Sequence, residues 1–126
     1  KKLLFNVSAF VSGFCYFLLC NFIFMERINK LKEYLLQNPK DNFLRHALAL
    51  EYIKEGKDAD AKILFENILY EFPAYTGSYY HLEKLLERNG ETSAAIEWYE
   101  KGMAEARKQN DNHSYNELQA ALEELI

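Results

Sequence analysis

At 126 residues the chain is long enough for one packed domain and short for two. Only 2 Pro and 5 Gly speak against many short strands, which need more turn residues, and point to long helices. The formal charge of −4 is uneven: residues 25–126 carry 13 basic against 19 acidic side chains, and an acidic body without a Lys/Arg stripe is a poor binder of nucleic acid.

Lys1 and Lys2 precede twenty-two uncharged residues, Leu3–Phe24, of which 17 are apolar. Length and hydropathy there read as a transmembrane or signal-anchor helix, and no small-x-small site supports a cleaved signal peptide. Lys1 and Lys2 on one side are balanced by Arg27, Lys30 and Lys32 on the other, so the positive-inside rule sets no orientation. An equal alternative starts from Met25, which stands where the polar body begins. On that reading residues 1–24 are spurious upstream sequence ahead of a soluble protein. Both cysteines, Cys15 and Cys20, fall in this stretch, leaving residues 25–126 without a disulfide, a Cys-based metal site or a thiol nucleophile.

From Met25 the pattern is helix after helix. Residues 26–38 place Ile28, Leu31 and Leu35 on one face and stop at Pro39. Asp41 is the natural N-cap of a second helix near 42–55, with Leu44, Ala47, Leu48 and Tyr52 as its apolar stripe. Gly56 ends it in a left-handed conformation. Asp58 then caps a third helix near 59–72, closed by Pro73. A fourth near 77–89 sets Tyr79, Leu82 and Leu86 in the register of Arg45, Leu48 and Tyr52, and stops at Asn89-Gly90. Thr92 or Ser93 caps a fifth helix reaching about Gln109. Ser114 with Glu117 forms a capping box for the last, over 114–126, with Tyr115, Leu118 and Leu122 facing inward.

The third and fifth helices carry one pattern twice. Ala61-Leu64-Phe65-Ile68-Leu69-Phe72 returns thirty-four residues later as Ala95-Trp98-Tyr99-Gly102-Met103-Ala106, each set on one stripe of a helix. These residues resemble the tetratricopeptide repeat, a helix–turn–helix unit of about thirty-four residues. In the first full repeat Leu48-Ala49, Tyr52, Gly56, Ala61, Phe65 and Pro73 fall on the family's positions. In the second, Tyr79, Leu82, Leu86, Gly90, Ala95 and Tyr99 do so, while Glu83 replaces a small residue and Arg107 the closing proline. The resemblance implies an all-α fold, a right-handed superhelix of antiparallel helix pairs with about six helices. It divides the chain into a leader (1–24) and a repeat domain (25–126) comprising a half repeat (26–38), two repeats (42–75 and 76–109) and a capping helix (114–126). Stacking is required because one pair cannot bury its stripe alone.

In this family the first helix of each repeat lines a concave groove that receives a peptide or a partner's helix. Carried over, the groove-facing residues are Phe43, His46, Leu50 and Ile53 of the second helix, Tyr80, Lys84, Glu87 and Arg88 of the fourth, and Asn116 of the last. Phe43, Leu50, Ile53 and Tyr80 lie off the packing stripe, as contact residues would, and Lys84 and Arg88 offer charge for orientation. Members that clamp a terminal carboxylate use Lys and Asn where this chain has His46 and Leu50, which disfavours that partner class.

No catalytic constellation is present: no nucleophile elbow and no glycine-rich phosphate loop occur. His46 and His81 approach one another across adjacent helices, but a metal site would need a third ligand such as Glu51 or Glu83, and the histidines are read as edge residues. The expectation is therefore a non-enzymatic protein-interaction module without cofactor or metal. It would be cytoplasmic and hold a protein or peptide partner through Phe43, His46, Leu50, Ile53, Tyr80, Lys84 and Arg88. The alternative is a structural scaffold, anchored to a membrane through residues 3–24 or homodimeric.

Overall fold

In the computed structural model the described residues are 2–126, with side chains described for 15–23 and 25–126. They form α1 (Lys2–Gln37), α2 (Asn42–Lys54), α3 (Asp58–Glu71), α4 (Gly77–Arg88), α5 (Thr92–Lys108) and α6 (Asn112–Leu125). No strand occurs among them. Each helix packs on the next in chain order, the arrangement that hairpin stacking demands. The half-repeat helix expected from residue 26 is the C-terminal part of the longer α1, whose Ile28 is buried with Leu31 and Leu35 half-buried. Among the described residues no helix is long and apolar enough to cross a membrane. The anchor expected over Leu3–Phe24 falls mostly outside the described side chains.

The turns follow from local chemistry. Asp41 Oδ1 accepts the Leu44 N–H (3.1 Å) and opens α2. Helix α2 closes on Gly56 at φ +75°, where the Lys57 N–H reaches back to the Tyr52 carbonyl (2.8 Å). Gly90 (φ +79°) repeats this at α4, with the Glu91 N–H on Leu86 O (2.9 Å). Without a Cβ, glycine enters this left-handed cap freely. Asn110 makes the same turn at φ +56°, ending α5. Helix α5 has 17 residues to the 14 of α3, because Arg107 stands where Pro73 closes the earlier unit.

Three expected caps differ from those observed. Asp58 is the first residue of α3 rather than its cap, and its carboxylate takes both Arg88 Nε (3.2 Å) and Nη2 (2.7 Å). Glu91, not Thr92 or Ser93, occupies the cap of α5 and pairs with Lys62 at 2.6 Å. Both carboxylates are engaged between helices and neither bonds its own helix terminus. At α6 the capping box of Ser114 and Glu117 is replaced by Asp111, which accepts the Ser114 N–H (3.0 Å) and hydroxyl (2.6 Å).

The core runs through both repeats. Ala49, Ala61, Phe65, Leu69, Tyr79, Leu82, Leu85, Leu86, Ala95, Trp98, Tyr99, Leu118 and Ala121 form one buried cluster. Small residues set the helix spacing. A Cβ on Gly102 of α5 would lie 2.8 Å from the Tyr79 ring and 2.9 Å from Leu118 Cδ1, so α4 and α6 both approach α5 there.

Candidate functional site

Helices α2, α4 and α6 alternate with α3 and α5 along the chain, and the residues expected to contact a partner lie on α2 and α4. Phe43 is 73 % exposed. His46, Leu50, Ile53, Tyr80 and Lys84 are half-buried, with Leu50, Ile53 and Tyr80 resting against the core while part of each stays open. An apolar side chain so placed is ordered before a ligand arrives, which lowers the entropic cost of contact.

Two seams flank α4. Toward α2, His46 Nδ1 lies 2.9 Å from Ser78 Oγ, and Ser78 is itself fully buried. The His46 ring meets Phe65 (5.5 Å), Tyr75 (5.9 Å) and His81 (5.2 Å) edge-on, and His81 stacks on Phe65 at 6.1 Å. Burial, then the neighbouring His81, holds His46 down at about 4. Burial lowers His81 as well, against a rise from Glu117, so both rings are neutral at pH 7. No third ligand joins them: among the described residues no group of three or more His, Cys, Asp and Glu is placed to hold a metal ion.

On the side toward α6 the chemistry is acidic. Glu83 is fully buried, and neither carboxyl oxygen has a hydrogen-bond partner. Burial, reinforced by Glu87, pushes its carboxyl up to about 9, so it is neutral at pH 7. The Tyr99 hydroxyl donates to Glu87 Oε1, and the Tyr99 phenol is raised by burial first and by that bond second.

The two expected orienting cations are already engaged. Arg88 turns away to the first turn of α3, held by Asp58, while the Lys84 ammonium lies 3.4 Å from Glu87 and 5.9 Å above the Tyr80 ring. Sequence reasoning noted Glu83 as out of pattern. It missed Ser78, Glu87 as a hydrogen-bond acceptor, and Glu117 as part of this seam, since none departs from ordinary helix composition.

No family model matches the chain, and no curated protein matches it. Solved structures do. The solution structure of a tetratricopeptide repeat domain protein from Salinibacter ruber is 40 % identical, aligned over 69 % of this chain and 88 % of that one with a TM-score of 0.67. A Bordetella parapertussis protein is 26 % identical over 78 % of this chain and 85 % of its own, with a TM-score of 0.68. The TPR domain of Sgt2 from Aspergillus fumigatus shares the fold alone, at 18 % identity and a TM-score of 0.63 over 84 % and 72 % of the two chains. With the thirty-four-residue pattern, six helices and a relative 40 % identical over most of its length, this chain belongs to the tetratricopeptide-repeat family.

Proposed function

We propose that the face built from α2, α4 and α6 receives a peptide or a partner's helix. Membership of the repeat family supports a protein–protein interaction module in general. The observation that carries the finer reading is the set of Phe43, Leu50, Ile53 and Tyr80, apolar residues on two adjacent helices that the stack leaves partly open. His46, within the α2–α4 seam beside Ser78 and His81, contributes a neutral ring. Lys84, paired with Glu87 and lying over the Tyr80 ring, stays beside these residues, whereas Arg88 is committed to Asp58.

Replacing Leu50 and Tyr80 together by Ala tests this. Native partner captured from cell extract should be lost, while circular dichroism and melting show a folded domain. Undiminished capture by a folded double variant places the partner elsewhere.

A second reading, tethering or self-association through α1, is favoured by one observation. Tyr16, Phe17, Leu18 and Leu19 are each at least 50 % exposed. Four consecutive positions span nearly the whole circumference of a helix, so the surface there is apolar all round rather than on a single stripe. Mass measured against concentration in solution separates a homodimer from a monomer, and flotation with phosphatidylcholine vesicles detects a membrane tether.

A further inference from the structure

Glu83 is the only residue among those described with both oxygens of a buried carboxyl lacking a hydrogen-bond partner. It stands where the repeat family places a small residue, so α4 retains a carboxyl where packing alone asks for less. Tyr80, Glu83, Lys84 and Glu87 recur at i, i+3, i+4 and i+7 and share one side of α4. Exposure falls in steps along the seam: Glu117 of α6 is exposed, Glu87 half-buried and Glu83 fully buried.

The groups facing Glu83 are few. From α4 come Glu87, which raises its carboxyl, and Lys84, which lowers it; from α6, across the seam, comes Glu117, which raises it. From α5 comes the Tyr99 hydroxyl, bound to Glu87. The Tyr79 phenol also feels Glu83 and Glu105, and burial above all raises it to about 12. His81, lowered by burial, stays neutral above pH 6.5.

Lys84 already shows what the seam accepts, since its ammonium sits between Glu87 and the Tyr80 ring. At 3.4 Å that contact is longer than a charge-assisted hydrogen bond of about 2.8 Å, which leaves acceptor capacity unused. The repeat domain as a whole carries net negative charge, and such a field draws basic segments toward it.

We propose that the α4–α6 seam binds an arginine side chain of the partner segment, paired with Glu87 and Glu117 and reaching toward Glu83. This rests on the interaction face proposed above and names the chemistry of its occupant. Arginine suits the seam better than lysine, because its planar fork presents five donors and sheds water more readily. Its arrival favours the ionised form of Glu83, so a proton passes from that carboxyl to solvent on binding. Affinity for the arginine segment therefore rises with pH across the range where free Glu83 is protonated.

Random dodecapeptides displayed on phage, selected on the full chain, supply the probe. A synthetic dodecapeptide from the enriched pool is then titrated by fluorescence anisotropy at pH 6.5, 7.5 and 8.5. The expected peptides share an arginine whose change to Ala weakens binding about tenfold or more. Glu117→Gln weakens it several-fold without disturbing the fold. Affinity should strengthen with pH by up to about tenfold per unit, the limit for one released proton, and Glu83→Gln should flatten that slope. Enriched peptides without a shared arginine, or a pH slope unchanged in Glu83→Gln, overturn the assignment. Peptides that lose affinity on Leu50→Ala yet ignore Glu117→Gln and Glu83→Gln overturn it while leaving the interaction face standing. Peptides indifferent to Leu50→Ala, or no enrichment at all, remove both.

Discussion

The two seams beside α4 solve one packing problem with opposite chemistry. Toward α2, a neutral histidine and a buried serine are within hydrogen-bonding distance, and aromatic rings close the space around them. Toward α6, a carboxyl is buried against a second carboxylate with no partner of its own. The first satisfies its polar atoms at neutral pH. The second keeps a group neutral that would be charged in water. A helix array can thus store a cost on one side of a helix and none on the other, because each seam is packed by a different neighbour.

The comparison has a pH signature whose sign follows from the shifts. Glu83 rises from 4.5 to about 9 on folding, so its contribution is fully present below pH 4.5 and is lost as pH climbs toward 9. His46 falls from 6.5 to about 4, so its contribution is present above pH 6.5 and is lost as pH drops toward 4. Between 4.5 and 6.5 the two slopes oppose each other. Stability measured by urea titration should therefore be nearly flat in that window and decline above it.

Leu82, fully buried in the core that both seams share, gives the largest expected effect. Leu82→Ala should cost about 2–5 kcal/mol and lower the whole pH curve without changing its shape; a changed shape would mean that the seams do not act separately. Glu83→Gln comes next. It should stabilise the fold by on the order of 2–3 kcal/mol at pH 8 and by nothing at pH 4, removing the alkaline decline while the acid one remains. His46→Gln keeps a partner for Ser78 and removes the titrating ring. It should recover about 1–2 kcal/mol at pH 4, with the alkaline limb unchanged. Arg88→Ala is the smallest, below about 1 kcal/mol for a pair this exposed, and 0.5 M salt should erase it.

The parts of this structure legible in the sequence are those fixed by near neighbours along the chain. Gly56 and Gly90 announce left-handed turns because only the backbone decides there, and Asp41 caps α2 through an N–H three residues away. The caps of α3 and α5 were not legible, because Asp58 and Glu91 are claimed by Arg88 and Lys62, about thirty residues distant. The site divides the same way. Phe43 and Tyr80 stand off the apolar stripe in the sequence itself, whereas the turn of Arg88 away from the face depends on where α3 begins. Glu83 was visible as a departure from pattern. That its carboxyl is buried without a partner depends on the packing of neighbouring helices around α4.

The extra length of α5 bears on how such a chain can grow. A unit closed by Pro73 delivers its successor at a fixed step, and the segment 42–75 could be duplicated in tandem with each copy landing in register. Helix α5 runs three residues past that length, roughly 4.5 Å along its axis, before Asn110 turns the chain. A copy of 76–109 would reach its successor from a helix almost one turn longer, through a connection of three residues (109–111) in place of five (72–76). The two repeats are thus unequal as modules: the first is a transferable part, and the second is fitted to the α6 that follows it.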